Sequence, residues 1–356
     1  MADGRRPLVS ICIVTGRRIP LLDACLACLQ EQEGAPDFEV LVCSDGDDEV
    51  RAAVHARFPD ARVCHVSRAL PGAARNLLVE AARGDVVFFL DDDVTFGPGL
   101  LARLAELVEA HPEVGVFGGP NDTPPGSSSF QEVQGAVLAS MVGSGPVRRR
   151  YGRHPAGPAD ERFFILCNLA VRREVMVPFA LDLICAEENG VLAEMSRAGV
   201  RMHYDPELVV YHERRPTRRG FAQQMHKYGR GRGQLLVREP RTLRPSYVAP
   251  SGLVAYGLAS PALALVVGPA ALAPLAVYLA AVVVSGLWIA RTLRRPASVV
   301  AAVACTLVLH LCYGLGVVRG LATRRPRVEP EVLSWAGPVT VGDDAVEPSL
   351  RPADAT

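Results

Sequence analysis

The sequence predicts a doubly wound α/β domain that is followed by helices able to cross a membrane. Over residues 9–118, short runs of apolar and β-branched residues alternate with segments of helical periodicity, which is typical of a parallel sheet covered by helices on both faces. Beyond about residue 245, long apolar stretches replace the mixture of polar and apolar residues. The 356 residues of the chain leave room for one such domain and an accessory region.

The first domain is predicted to contain five strands and four helices. The predicted strands cover residues 9–15, 39–43, 62–66, 86–90 and 114–118, and the predicted helices cover residues 21–32, 49–58, 73–82 and 99–111. The fourth strand is a continuous apolar run, which suits a buried parallel strand. Ligands of such sheets bind beyond the carboxyl ends of the strands. This rule selects Thr15, Asp45 and the run from Asp91 to Asp93.

Three apolar runs follow, at about residues 252–267, 272–290 and 297–318. The third is long enough to cross a bilayer, which takes roughly 20 apolar residues, and the first two predict a helical hairpin with a Gly/Pro turn. Buried helices of a soluble protein are the alternative, which three successive runs disfavour. Three crossings would place the basic cluster Arg319–Arg327 opposite the first domain, against the positive-inside tendency. A multi-pass membrane protein is expected, but the number and orientation of the crossings are left open. Either one segment is re-entrant or interfacial, or this chain breaks the positive-inside tendency.

Charge and cysteine content exclude several classes of protein. The chain carries 38 basic and 38 acidic residues, so nothing in its overall charge favours nucleic acid as a partner. The nine cysteines are scattered, which indicates a reducing compartment rather than a disulfide framework. The apolar run at residues 8–15 is too short for a signal peptide and predicts a strand. The first domain is therefore expected in the cytoplasm, at the cell membrane.

The acidic run Asp91-Asp92-Asp93 is the strongest chemical signal in the chain. Adjacent carboxylates repel each other, so a cation or solvent must offset the cost. In an extended segment, Asp91 and Asp93 point to one side and Asp92 to the other. Oxygen ligands on one side suit Mg²⁺ or Mn²⁺. A solvated acidic turn is the alternative.

The surroundings of this run are similar to those in family 2 glycosyltransferases. Gly84-Asp85, a strand and then Leu90-Asp91-Asp92-Asp93 resemble the family's GD…LDxD signature. The resemblance extends over about residues 8–235, and its order and spacing carry more weight than any one piece. It includes the strand 9–15, the helix with Leu22, Cys25, Leu26, Leu29 and Gln32, the strand 39–46, the segment 71–76, the strand 167–174, the acidic pair 187–188 and the segment 204–212.

The resemblance implies a GT-A fold, that is, a Rossmann-like doubly wound mixed sheet, over residues 1–235. Composition assigns residues 236–325 to a membrane-associated linker with transmembrane helices, and residues 326–356 to a disordered tail. The implied activity is metal-dependent, inverting transfer of one sugar, of the hexosyltransferase class. The donor would be a nucleotide-diphospho-sugar, and the acceptor would be a lipid or glycan at the membrane.

The resemblance also implies the residues that bind the donor. Asp45 would hydrogen-bond the base, because Ser44 stands where the family has its first acid. Thr15 and Arg75 would line the nucleotide pocket, and Asp92 is included in this donor-binding set. Asp91 would face the ribose or the metal ion. An exposed helix residue is the alternative for Arg75.

The metal ligands implied by the resemblance are Asp91, Asp93 and His212. Glu188 would be the base that takes the proton of the acceptor hydroxyl, and Glu187 is the second choice. Glu188 stands where the family usually has Asp, so the carboxylate is shifted by one methylene group. Two glutamates at a helix N-terminus are also favourable without any catalytic role, and a histidine at a strand end is often only hydrogen-bonded.

Two further hypotheses stay open at this point. A sugar-phosphate nucleotidyltransferase would carry a glycine-rich basic loop after the first strand, to which Gly16-Arg17-Arg18 is only faintly similar. A non-catalytic membrane scaffold with the same fold is consistent with the departures at Ser44 and Glu188. The Gln-x-x-Arg-Trp motif of processive synthases is absent from the sequence, which favours transfer of single sugars.

Overall fold

In the computed structural model, the described residues are 9–16, 18–45, 48–67, 70–323 and 329–336. The strands are β1 (Val9–Thr15), β2 (Phe38–Ser44), β3 (Arg62–Val66), β4 (Val86–Asp91), β5 (Val94–Thr95), β6 (Val114–Gly118), β7 (Asn121–Asp122), β8 (Gly157–Ala159), β9 (Asn168–Arg172), β10 (Arg201–Tyr204), β11 (Val210–His212) and β12 (Val332–Ala336). The helices are α1 (Ile19–Gln30), α2 (Asp48–Arg57), α3 (Pro71–Ala81), α4 (Leu100–Ala110), α5 (Ser129–Leu138), α6 (Met141–Ser144), α7 (Glu187–Arg197), α8 (Arg218–Arg238), α9 (Pro245–Val267), α10 (Ala273–Thr292) and α11 (Ser298–Ala322).

The large sheet is mixed, and its strand order is β12-β3-β2-β1-β4-β9-β6-β10-β8. Strands β3, β2, β1 and β4 are parallel, whereas β9 is antiparallel to both β4 and β6. Alternate residues of the strands enter apolar clusters on opposite faces, with Ile11 and Ile13 in one cluster and Cys12 in the other. The predicted elements of residues 9–118 are confirmed with ends within two residues of the prediction. The α/β fold class is therefore confirmed, with a mixed sheet.

A second, three-stranded sheet places residues that follow the main strands. Its order is β5-β11-β7. β5 comes directly after the acidic run at the end of β4, and its Val94 pairs with His212 of β11. Tyr211 of β11 pairs on the other side with Asp122 of β7. The small sheet thus holds the end of β11 beside the carboxyl end of β4.

The three predicted apolar runs form long helices. Segments Pro245–Val267, Pro269–Thr292 and Ser298–Ala322 are each long and apolar enough to cross a membrane. These helices are longer than the predicted runs. The largest difference is at α9, which begins at Pro245, seven residues before the predicted apolar run. Most large apolar side chains of α9 and α10 are exposed. Membrane association follows from these surfaces, because water would solvate them poorly.

Helices α8 and α11 meet through interlocking glycines. A Cβ atom on Gly229 would lie 2.1 Å from the carbonyl oxygen of Tyr313, and one on Gly233 would lie 2.3 Å from that of Val317. On the other helix, a Cβ on Gly316 would lie 2.3 Å from the carbonyl oxygen of His226. Small residues spaced four apart let two helix backbones approach this closely. The polar helix α8 is therefore packed in direct backbone contact with the apolar helix α11.

The tail after α11 differs from the expected disorder. Residues 332–336 form β12, which pairs antiparallel with β3, so the expectation is wrong for this segment. The short run Val-Leu-Ser-Trp-Ala has enough apolar content to form a strand once β3 offers its open edge. That edge is a tertiary feature, which local composition does not show. The rest of the expected tail, residues 326–328 and 337–356, lies outside the described residues.

Replacing Gly316 by alanine is expected to destabilise the protein, because the new methyl group would collide with the backbone of α8. Overpacking of this kind costs about 1–3 kcal/mol, which lowers the melting temperature by several degrees. Differential scanning fluorimetry of the purified protein in detergent measures this shift. Gly252→Ala is the matched control, because nothing lies within 4 Å of a Cβ on Gly252 of α9. Equal melting temperatures for the two variants would contradict the interlocked packing.

Candidate active site

The carboxyl ends of β4 and β11 bring two aspartates and a histidine together. Asp91 is the last residue of β4, Asp93 follows in the turn to β5, and His212 ends β11. His212 Nε2 lies 2.9 Å from Asp93 Oδ1, and one ligand atom from each of Asp91, Asp93 and His212 lies within 4.8 Å of the other two. The residues predicted to hold the metal ion therefore form one cluster. Two carboxylates and an imidazole are a donor set that a divalent cation would accept.

Asn121 of β7 fixes the imidazole ring of His212. Its Nδ2 lies 3.2 Å from His212 Nδ1, and its Oδ1 is buried without a hydrogen-bond partner among the described residues. Exchanging the two amide atoms gives Oδ1 a donor, the Nδ1–H group, and leaves Nε2 with a free lone pair. An imidazole oriented in this way is the usual arrangement for a metal-binding histidine. The surroundings of His212 therefore fit the role of a ligand.

Asp92 lies beneath the cluster and is fully buried. The Thr15 hydroxyl donates to Asp92 Oδ2 at 2.6 Å, and the Arg18 guanidinium contacts Asp92 and donates to Asp93 Oδ2 at 2.5 Å. Burial raises the pKa of Asp92 to about 6, against the opposing effects of Thr15 and Arg18. Burial alone would raise the pKa of Asp93 too, but His212 and Arg18 hold it below its usual value. Arg18 thus offsets part of the repulsion between these carboxylates.

Arg75 connects the aspartates to the glutamates at the start of α7. Its Nη1 donates to Glu187 Oε1 at 2.7 Å, and its Nη2 donates to Asp91 Oδ1 at 3.3 Å. The Arg75 side chain is buried. The two acidic groups, which are far apart in sequence, therefore face one cleft with a guanidinium between them.

The second glutamate has different partners. Glu188 Oε1 accepts a hydrogen bond from Asn189 Nδ2 at 2.7 Å, and Arg150 Nη1 lies 3.6 Å away. Arg150 Nη2 donates to Asn189 Oδ1 at 2.6 Å, which fixes the orientation of that amide. Burial raises the pKa of Glu187, and the Arg75 guanidinium opposes this rise. The two neighbouring carboxylates thus occupy distinct electrostatic environments.

A cavity of about 950 Å³ begins at this cleft and extends to the membrane helices. Its polar end is lined by charged residues of the cleft, and its other end is lined by residues of α5, α6, α9, α10 and α11. The apolar lining includes Leu138, Met141, Val142, Leu253 and Leu309. The cleft is therefore continuous with a space bordered by helices that suit a bilayer.

Two of the residues predicted to bind the donor lie outside this cavity. Asp45 is exposed at the end of β2, and its Oδ1 would lie 3.9 Å from a Cβ on Gly16. Thr15 is buried, and its hydroxyl is engaged by Asp92. Arg75, Asp91 and Asp92 line the cavity, as do both glutamates and all three predicted metal ligands.

Three residues of the site were missed by the sequence analysis. Arg18 lies three residues after the carboxyl end of β1, so the rule that ligands bind beyond the carboxyl ends of the strands could have identified it. Asn121 and Arg150 carry no comparable local pattern, because their roles depend on His212 and Asn189, which are distant in sequence. Arg150 ends a short 3-10 helix, residues 145–150, that directly follows α6.

The mixed sheet and this acidic site define a domain of the GT-A glycosyltransferase class. Residues 10–176 match the family model described as glycosyl transferase family 2. This match covers somewhat less than half of the chain, and it agrees with the resemblance drawn from the sequence motifs.

Several known proteins are similar to this chain. An uncharacterized glycosyltransferase of Bacillus subtilis (strain 168), YwdF, is 33% identical over 28% of this chain and 38% of its own length. The pre-mycofactocin glycosyltransferase of Mycobacterium tuberculosis is 26% identical over 73% of this chain and 50% of its own length. The chain thus spans half or less of the length of these relatives.

A solved structure supports the fold. The mannosyltransferase PcManGT from Pyrobaculum calidifontis, in complex with GDP-Man and Mn²⁺, is 20% identical over 85% of this chain and 88% of its own, with a TM-score of 0.51. At this identity the likeness shows the shared fold.

Asp93→Asn is expected to weaken binding of a divalent cation at least about tenfold, because it removes a charged ligand and its pairing with His212. Isothermal titration calorimetry with Mn²⁺ on the purified protein measures this affinity without any turnover. Glu109→Gln, which removes an exposed carboxylate of α4, is the control. Unchanged Mn²⁺ affinity in the Asp93 variant would rule this residue out as a ligand.

Proposed function

We propose that this protein is a membrane-bound, metal-dependent glycosyltransferase that moves one sugar from a nucleotide-diphospho-sugar to a lipid or glycan acceptor at the membrane, with inversion at the anomeric carbon. The catalytic domain would lie in the cytoplasm. The observation that carries the proposal is the Arg75 bridge, which places the aspartates of β4 and the glutamates of α7 in one cleft. That cleft opens into a cavity bordered by the apolar helices.

The donor would bind along the carboxyl ends of β1, β2 and β4. Asp45 is exposed just after β2, where it could hydrogen-bond the base. The hydrogen bond from Thr15 to Asp92 supports the turn that follows β4. Asp91, Asp93 and His212 would hold Mg²⁺ or Mn²⁺; the P. calidifontis protein of similar fold is in complex with GDP-Man and Mn²⁺. A cation there would stabilise the negative charge of the leaving diphosphate.

We assign the role of general base to Glu188. The ion pair with Arg75, at 2.7 Å, holds Glu187 in place and offsets its negative charge. The ion pair of Glu188 is longer, with Arg150 Nη1 at 3.6 Å. A carboxylate that is not held in a close ion pair is better placed to accept a hydrogen bond from an acceptor hydroxyl. Glu187 would then serve to position Arg75 between the base and the metal ligands.

The overall proposal is tested by measuring release of nucleoside diphosphate from a panel of nucleotide sugars. Purified protein is assayed with native membrane lipids as the acceptor source, with and without Mn²⁺. We expect release from at least one donor, dependent on the cation and increased by the lipids. No cation-dependent release from any donor would favour a non-catalytic scaffold, and release of inorganic pyrophosphate from a nucleoside triphosphate and a sugar phosphate would favour a nucleotidyltransferase.

Glu188→Gln is expected to lower kcat at least about 100-fold and to leave donor affinity unchanged, because it removes only the proton acceptor. Glu187→Gln is the matched comparison, since it keeps the shape of the side chain and loosens Arg75. It is expected to weaken donor and cation binding more than it lowers kcat. Steady-state kinetics and calorimetric donor titration distinguish these patterns, and full kcat in the Glu188 variant would refute its assignment as the base.

The acceptor end of the cavity offers cationic groups next to apolar walls. Arg232 of α8 is buried, and its guanidinium carbon lies 3.9 Å from the centre of the Tyr247 ring. Within the described part of the chain, the neighbouring carboxylates pair with other arginines, and none forms an ion pair with Arg232. A buried cation without a carboxylate partner suits a negatively charged ligand. An acceptor with an apolar chain and a phosphate group would match both features.

Arg232→Gln is expected to raise the acceptor KM about tenfold or more, because a charge-assisted contact is lost. Donor affinity should not change, since the Arg75 cleft is intact. Arg238→Gln, at an exposed position of the same helix, is the control. The acceptor KM is measured with the native membrane lipids and the nucleotide sugar that support release of nucleoside diphosphate. Equal acceptor KM values for the two variants would exclude Arg232 from the acceptor site.

A further inference from the structure

The chain returns to the catalytic sheet after its last apolar helix. β12 pairs with β3 in the same sheet that carries the active site, with Ser334 opposite His65 and Trp335 opposite Cys64. In addition, the Ser67 amide donates to the carbonyl oxygen of Glu331 at 3.0 Å. The last strand is therefore on the same side of any bilayer as the catalytic domain.

The linker between α11 and β12 is too short to change sides. Thr323 and Glu329 are six residues apart, which span at most about 22 Å when fully extended. The hydrocarbon core of a bilayer is about 30 Å thick. The carboxyl end of α11 must therefore lie on the catalytic side as well.

Both ends of the pair α9–α10 are also fixed to the catalytic domain. Arg244, just before α9, pairs with Glu161 at 2.9 Å. Arg295, just after α10, pairs with Glu132 of α5, and its Nη1 lies 3.0 Å from Ser129 Oγ. The pair starts and finishes on one side, and residues 245–290 between these arginines contain no charged residue.

Helix α11 is held against the catalytic domain along its whole length. Near its start, Ala302 and Cys305 share an apolar cluster with α5 and α8. In the middle, His310 Nε2 lies 3.1 Å from the carbonyl oxygen of Gly143. At its end, Gln234 Nε2 donates to the carbonyl oxygen of Thr323 at 3.3 Å. A helix that crosses a bilayer cannot keep all these contacts with a domain outside it.

The opposite face of α11 is apolar and exposed. Val300 is 78% exposed, Leu311 50%, Leu315 45% and Val318 52%. An apolar face on one side and protein contacts on the other are typical of a helix lying in the membrane interface. The exposed arginines near its two ends, Arg294 and Arg319, are placed to meet lipid phosphates.

We propose that the protein contacts the bilayer from one side only. Helices α9 and α10 enter the membrane as a hairpin and return, and α11 lies in the headgroup region with its apolar face on the acyl chains. The partner surface is a leaflet containing anionic phospholipid. This arrangement keeps all the basic clusters on one side of the membrane, and it holds whether or not the proposed transfer activity is correct.

Tags at the two ends of the full-length chain test the number of crossings. Sealed inverted and right-side-out vesicles are prepared from cells expressing the protein with one epitope before Met1 and another after Thr356. We expect protease to remove both epitopes in the same vesicle orientation. Removal of the two epitopes in opposite orientations would show an odd number of crossings and overturn the proposal.

The depth of α11 is tested by single tryptophans at positions 300, 311 and 318. Val300→Trp, Leu311→Trp and Val318→Trp are each made in a background where Trp288 and Trp335 are replaced by Phe, and the intact protein is reconstituted in vesicles containing brominated phosphatidylcholine and phosphatidylglycerol. A helix in the interface gives all three positions similar quenching, stronger with bromine near the carbonyl end of the chain. A crossing helix gives deeper quenching at position 311 than at the other two, which would contradict the proposal.

The pairing of β12 with β3 is tested in the same vesicles by His65→Cys with Ser334→Cys. Opposed positions of an antiparallel pair are close enough for a disulfide. Mild oxidation is expected to link the two positions in the double variant, as seen by mass spectrometry of tryptic peptides. Each single variant is the control for pairing with native cysteines, and no link in the double variant would remove the basis of the proposal.

Discussion

The ion pairs of Arg75 with Asp91 and Glu187 are the interactions on which the site depends. They join the end of β4 to the start of α7, two places separated by about a hundred residues in the chain. Without this guanidinium, carboxylates from both elements would face each other in a poorly solvated cleft, and their repulsion would force them apart or protonate one of them. Arg75 is therefore a structural requirement for the cleft as well as a candidate for contact with the donor.

The same balance of charge recurs around Arg75. Arg18 contacts Asp92 and Asp93, and Arg150 lies beside Glu188 and Asn189. Each acidic residue of the cleft thus has a basic neighbour, which offsets part of the repulsion between the carboxylates. A bound cation would add positive charge beside Asp91 and Asp93, whose repulsion is only partly offset by Arg75 and Arg18.

The membrane region is part of the catalytic architecture. The glycines of α8 and α11 bring the two helices into backbone contact, so the helix that follows the site is fixed directly to an apolar helix. The cavity consequently continues from the cleft to the membrane helices without a break in the protein.

Local patterns in the sequence determined the α/β domain, the apolar helices and the position of the acidic run, because periodicity and the carboxyl-end rule act over short stretches. They placed Asp91 and Asp93 correctly at the end of a strand, and the family resemblance added His212. Asn121, Arg150 and the role of Arg75 as a bridge depended on contacts between distant segments, which only the tertiary structure decided. The return of β12 to β3 is the clearest case, since a five-residue strand forms only where an open sheet edge supplies its hydrogen bonds.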